Sequence, residues 1–182
     1  MAETFLADAW LSGVVVALTA ALYLAAAVTD ALWLRIPNAL VLALLALFAM
    51  VAAAALAQGR IGWGALALTH GLPGLAAFVL GAALFAWGKL GGGDVKLLAV
   101  TFLWAGTGLA PVLLMVLGIA GLMLLLVHQR MGTVLHYLAL RAASAVGRPG
   151  ILPQALQTQK GLPYALAIAP AGLVLAARLP LI

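Results

Sequence analysis

The chain has 182 residues, of which 67% are hydrophobic and only 7% charged, with nine Lys and Arg against four Asp and Glu. So few charges cannot cover the surface of a water-soluble domain. The basic residues are spread along the chain, so the net charge of +5 forms no nucleic-acid patch, and they read instead as membrane-topology signals. With no cysteine, disulfides, thiolate catalysis and a cysteine-bound zinc are excluded.

Apolar runs near the 20 residues needed to cross a hydrocarbon core predict an all-α, polytopic membrane protein with about six transmembrane helices. The chain reads as one membrane-embedded domain over 1–182, without internal repeats. The N-terminal "MAETFLADAW" has no basic n-region and carries Glu3 and Asp8, unlike a cleavable signal peptide. It predicts a permanent first span over about 5–28 that starts outside the cytoplasm. The second span is expected at 37–57, with Pro37 in the first helical turn, where its missing N–H costs nothing. The third is expected at 64–88; Gly71, Pro73 and Gly74 either kink it or mark a later start. A short fourth segment over 95–105, a fifth over 108–128 and a sixth over 161–179 complete the set. The stretch from 129 to 160 reads as a cytoplasmic loop. Val134, Leu135, Leu138, Ala142 and Ala145 fall on one helical face within it, which fits either an interfacial helix or a basic loop with an incidental stripe.

Charge fixes the expected orientation. With the N-terminus outside, the inner loops hold Arg35, Lys89, Lys96, Arg130, Arg141, Arg148 and Lys160, and the outer side holds only Arg60 and Arg178. The same topology brings Asp30 and Asp94 to the cytoplasmic face, at one membrane depth. Each alone reads equally as a solvated or capping residue. Together, with one inside "GGGD", they read as a functional pair, because ionisable groups at membrane depth are costly.

Two nearby carboxyls can share one proton, the ionised one drawing a proton from water while the neutral one polarises a scissile carbonyl. The helix ends assign Asp94, at a helix start, the role of base and Asp30, at a helix end, that of acid. Gly91, Gly92 and Gly93 leave room for a substrate backbone beside Asp94; they fit a flexible joint equally well. Lys96 is a substrate-binding candidate that adds a positive field, or it serves as a positive-inside anchor. Ser12 is expected near the outer side, and Ser144 and His136 lack a recognisable triad partner, so a serine hydrolase is disfavoured. No further acid or spaced histidine accompanies the pair, which disfavours a metal site. A proton- or cation-coupled transporter also uses paired membrane carboxylates; both acids at one face, rather than at the midplane, fit it poorly. A non-catalytic scaffold is the remaining alternative.

The stretches "TDALWLRIPN" and "GGGDVKLL" resemble the type IV prepilin peptidases, membrane aspartyl proteases of the GxGD class. The resemblance covers most of the chain. It implies that Asp30 and Asp94 are the catalytic pair, with Ile36, Pro37 and Asn38 as the turn after the first. Gly91 to Gly93 would line the cleft beside the scissile bond. The segment "KGLPYALAIA" resembles the family's Pro-Tyr/Phe-Gly segment and adds Pro163 and Tyr164 as substrate-binding candidates; Ala165 stands where glycine is common. Larger relatives carry a four-cysteine, zinc-binding cytoplasmic insertion after the first span. Its absence here implies a short form that processes Flp-type (tight-adherence) prepilins or pseudopilins in the bacterial inner membrane, without a cofactor and without N-methylating the product. The partners implied are the substrate and the lipid bilayer, with no nucleic acid.

Overall fold

A computed structural model describes residues 2–145 and 164–178, with side chains for 12–126 and 164–176. The described residues are helical and contain no strand. The helices are α1 (Ala2–Trp33), α2 (Asn38–Ala57), α3 (Trp63–Ala86), α4 (Gly92–Ala145) and α5 (Ala165–Arg178). Four of them contain spans long and apolar enough to cross a membrane: Ser12–Trp33, Asn38–Ala57, Trp63–Ala86 and Gly92–Leu126. At most a third of the most apolar window in each is buried. The outward side chains are themselves large and apolar, as in Leu42, Leu68, Val79 and Met115. Such an inside-and-outside apolar helix suits lipid rather than water.

Against the six expected segments, the described residues contain four candidate spans. The expected fourth and fifth are arms of the single helix α4, and the described part of the sixth is a short apolar stretch at Ala165–Ala176. The arms meet at Gly106, whose φ of 59° and ψ of −172° are non-helical. Leu98 and Phe102 before it line the same groove as Ala110, Leu117 and Gly121 after it. A straight helix would carry Gly121 about 35 Å from Leu98 at ~1.5 Å per residue, so the chain folds back at Gly106. A Cβ on Gly106 would stand 3.0 Å from the Thr69 carbonyl oxygen and from the His70 ring, so both its φ and its neighbours require glycine.

The expected break in the third span takes a different form. Helix α3 runs through Gly71, Pro73 and Gly74, and widens into one π-helical turn at Ala67–Gly71. Pro73 cannot donate to the carbonyl four residues back, and the wider turn accommodates that loss. The turn also presents His70, whose Nδ1–H donates to the Leu103 carbonyl at 2.9 Å, near the end of the first arm of α4. The second arm continues as helix through Ala145, so the loop expected from 129 begins as an extension of a span. Residues 146–160, with the rest of that loop, lie outside the described residues.

Left-handed residues end the first three helices. Gly59 and Gly88, with φ of 66° and 68°, make paired C-terminal hydrogen bonds: Arg60 N–H to Ala55 and Gly59 N–H to Leu56, Lys89 N–H to Leu84 and Gly88 N–H to Phe85. In α1 the same role falls to Leu34, at φ 50°, whose N–H donates to the Asp30 carbonyl at 2.8 Å. A branched side chain in this region costs about 1–2 kcal/mol. Pro37 caps α2 from just outside, with extended backbone, and the helix starts at Asn38.

The core gathers where α1, α2, α4 and α5 converge. Tyr23, Leu44, Leu97, Leu113 and Leu175 are fully buried there. Trp104 Nε1–H donates to the Leu44 carbonyl at 3.0 Å, and Phe48 packs edge-on against Trp104 with centroids 5.4 Å apart. Helix α3 lies antiparallel to the first arm of α4. Gly74 faces Leu103 and Gly81 faces Val95, with notional Cβ distances of 3.0 and 3.2 Å.

Candidate active site

Asp30 sits in the last turn of α1 and Asp94 in the first turn of α4. Both are buried, at 5% and 8% exposure. They share a cavity of about 260 Å³ lined by Asp30, Leu34, Arg35, Ile36, Gly91, Gly92, Gly93 and Asp94. Thus the two acids that the sequence singles out, and all three glycines, are brought together. Leu34 and the side chains after it are additions; the signal for them was the short "LRIP" turn between two helices.

Each carboxyl is held by a backbone N–H. Gly91 N–H donates to Asp94 Oδ2 at 3.1 Å, and Ala165 N–H donates to Asp30 Oδ2 at 2.8 Å. The other oxygen of Asp94, Oδ1, is buried without a hydrogen-bond partner. A buried acceptor left unmet costs about 1–3 kcal/mol. Ala165 opens α5, so Asp30 faces a helix N-terminus just as Asp94 does. The split of roles expected from helix ends therefore loses its basis, because a second helix start offsets the helix end on which Asp30 sits.

The glycines differ among themselves. A Cβ on Gly91 would stand 2.7 Å from Asp94 Oδ2, and one on Gly93 would stand 3.1 Å from the Ile36 Cβ. On Gly92 it would meet only Phe85, at an ordinary 3.7 Å. Two of the three are therefore explained by close approach, and Gly92 is not.

Lys96 is not among the cavity-lining residues. Its Nζ donates to Asn38 Oδ1 at 3.0 Å on the exposed surface, tying the start of α4 to the start of α2. Tyr164 stands at the head of α5, and its carbonyl accepts from Ala167 and Ile168 N–H at 2.9 and 3.0 Å. Pro163 lies outside the described residues. Ala165, in the position where a glycine was expected, is fully buried and makes its backbone contact with Asp30.

A larger apolar groove of about 610 Å³ adjoins the site. It runs between α3, both arms of α4 and α5, past Leu80, Phe102, Leu114 and Ile168. Leu90 and Tyr164 also line it, and each immediately precedes a residue whose N–H holds a carboxyl. The groove and the acidic cavity thus meet along the backbone.

No match was found among curated proteins or among solved structures. The profile of the type IV leader peptidase family matches residues 17–126, a stretch that contains Asp30, Asp94 and the three glycines. That is well over half of the chain, and it joins the motifs to the spans that carry them: this chain belongs to the type IV leader peptidase family.

Proposed function

We propose that the chain is an intramembrane aspartyl endopeptidase that removes the basic leader of Flp-type prepilins or pseudopilins at the cytoplasmic face of the bacterial inner membrane. Family membership supports a prepilin leader peptidase. The observation that carries the aspartyl mechanism is the shared cavity: two buried carboxyls, from α1 and α4, face one space bordered by glycines. The excess of basic residues in the expected inner loops supports the orientation.

In this reading water enters the cavity and meets the unpartnered Oδ1 of Asp94. The ionised carboxylate of the pair takes a proton from the water as its oxygen attacks the scissile carbonyl carbon. The neutral carboxyl gives its proton to the carbonyl oxygen, forming a neutral diol. As the C–N bond breaks, one carboxyl protonates the leaving nitrogen and the other takes back a diol proton. One water is consumed, and the pair returns with one proton. The pair acts as a unit, so the two roles are not assigned to fixed residues. The substrate's basic leader stays on the cytoplasmic side. Its apolar helix lies in the groove that ends at Leu90 and Tyr164, which brings the junction between the two to the carboxyls.

The test is leader cleavage in membranes containing the chain and a candidate Flp-type prepilin. Asp30→Asn and Asp94→Asn preserve size and remove acid–base function; each is expected to lower turnover at least 10³-fold. Cleavage persisting in either variant would sink the paired mechanism. Proton-gradient-driven solute uptake would point to the transporter instead. The product N-terminus is expected to carry no methyl group by mass spectrometry.

A further inference from the structure

We infer that Tyr23, Thr101 and Gly172 form a second layer, two helical turns from the carboxyls, that sets the separation of Asp30 and Asp94; all three are positioning residues. The catalytic readout of this inference rests on the proposed peptidase reaction.

Three helices contribute one group each to the acidic layer: Asp30 from α1, Asp94 from α4 and the Ala165 N–H from α5. Seven residues from each lies a member of a second set: Tyr23 on α1, Thr101 on α4 and Gly172 on α5. Seven residues are almost two full turns, a rise of about 10.5 Å, so each pair shares one helix face. Along α1 the step runs backward in sequence and along α4 and α5 forward, so the second set forms one layer only if α1 opposes the other two. The contacts meet that condition. Tyr23 Oη–H donates to Thr101 Oγ1 at 2.9 Å, and both side chains are fully buried. Thr101 Oγ1–H donates onward to the Leu97 carbonyl at 2.7 Å. The Tyr23 ring lies against Gly172, where a Cβ would strike Cγ and both Cδ atoms of the ring.

The layer has a mechanical task because α1 packs chiefly on α5, α4 packs chiefly on α3 and then on α5, and α1 and α4 have little direct packing on one another. The long Tyr23 side chain crosses the space between them and ends on a hydroxyl that is itself anchored to α4 backbone. Away from water, such a hydrogen bond has no solvent competitor. It fixes both the spacing and the register of the helices that carry the acids.

Tyr23→Phe deletes only the hydroxyl, and Thr101→Val deletes the acceptor at nearly constant volume. Each is expected to lower kcat about tenfold or more with KM within twofold, because displacements near 1 Å at reacting groups cost up to about 100-fold. The double variant is expected to fall no further than the lower single. Trp104→Phe removes a buried hydrogen bond between α4 and α2 instead, and is expected to leave kcat within twofold. A second measurement needs no cleavage. The chain has no cysteine, so Asp30→Cys with Asp94→Cys gives a single reporter pair, whose oxidative cross-linking rate should change at least threefold when Tyr23→Phe or Thr101→Val is added. If Tyr23→Phe fails to accumulate, Thr101→Val breaks the same bond with the ring in place. Unaltered kcat in both variants, an unaltered cross-linking rate, or an equal kcat loss in Trp104→Phe overturns the positioning layer. Persistent cleavage by Asp30→Asn overturns the peptidase mechanism instead and leaves the cross-linking result readable.

Discussion

Replacing Gly91 by alanine adds a methyl group 2.7 Å from Asp94 Oδ2. Ordinary contact needs about 3.4 Å or more, so the oxygen must retreat by about 0.7 Å. The group that moves is the far end of a side chain, which makes the retreat cheap for the fold. It stretches the 3.1 Å bond from Gly91 N–H and displaces a proposed catalytic oxygen. A displacement of that size at a reacting group lowers kcat on the order of 10- to 100-fold. Gly92→Ala is the internal control, since its methyl group meets only Phe85 at 3.7 Å. It should leave kcat near wild type and favour the first turn of α4 by up to ~1 kcal/mol, because alanine is the better helix former. Gly93→Ala is intermediate: its neighbour at 3.1 Å is the Ile36 Cβ, fixed to the backbone, so the turn after α1 must shift by a few tenths of an ångström. The assay is leader cleavage in membranes, with kcat and KM referred to quantified protein and with melting in detergent followed in parallel. The expected order is Gly92→Ala near wild type, Gly93→Ala reduced several-fold, and Gly91→Ala lowest but with unchanged melting. A merely flexible joint predicts equal losses at all three positions, and that pattern, or a fully active Gly91→Ala, refutes the geometric reading.

Lys96→Met removes an exposed hydrogen bond to Asn38 and should cost less than ~1 kcal/mol of stability, with cleavage retained; a large rise in KM would instead make Lys96 a substrate contact. Gly106→Ala forces a side chain into a left-handed turn against the Thr69 carbonyl and should destabilise by at least ~1–2 kcal/mol, read as an earlier unfolding transition in detergent. Gly172→Ala drives a Cβ into the Tyr23 ring. It should lower both melting temperature and kcat, whereas Gly13→Ala, in open space on α1, should lower neither.

The acids were legible because they are scarce. With four in the chain and two near one end, Asp30 and Asp94 stand out against apolar runs, and topology alone pairs them. The apolar runs themselves overlap all four candidate spans, the second and third to within two residues at each end. What the sequence hid depends on contacts between distant segments. Gly106 looks like any glycine between two runs until His70 and Thr69 crowd it. Helix α4 continues to Ala145, through a stretch whose apolar face allowed a separate interfacial helix but gave no sign of one continuous with the span. Tyr23 and Thr101 read as isolated polar residues in lipid-facing sequence, since neither their seven-residue spacing from the acids nor their bond means anything until α1 and α4 oppose each other. Ala165 was conspicuous only for not being glycine, yet its N–H holds Asp30. Lys96 turns to Asn38, a choice made by a side-chain amide 58 positions away.

The reversal at Gly106 has a consequence for the surrounding lipid. From Gly92 to Gly106 the first arm of α4 rises about 21 Å, some 9 Å short of a ~30 Å hydrocarbon core. The turn is tolerated at depth because protein satisfies its backbone, with His70 holding the Leu103 carbonyl. Lipid does not have to fit this arm, because Val95, Leu97, Val100, Phe102, Trp104 and Ala105 are buried in protein along its length. A segment sheathed in this way need not match the bilayer thickness, so the fold holds a helix too short to span without deforming the acyl chains around it.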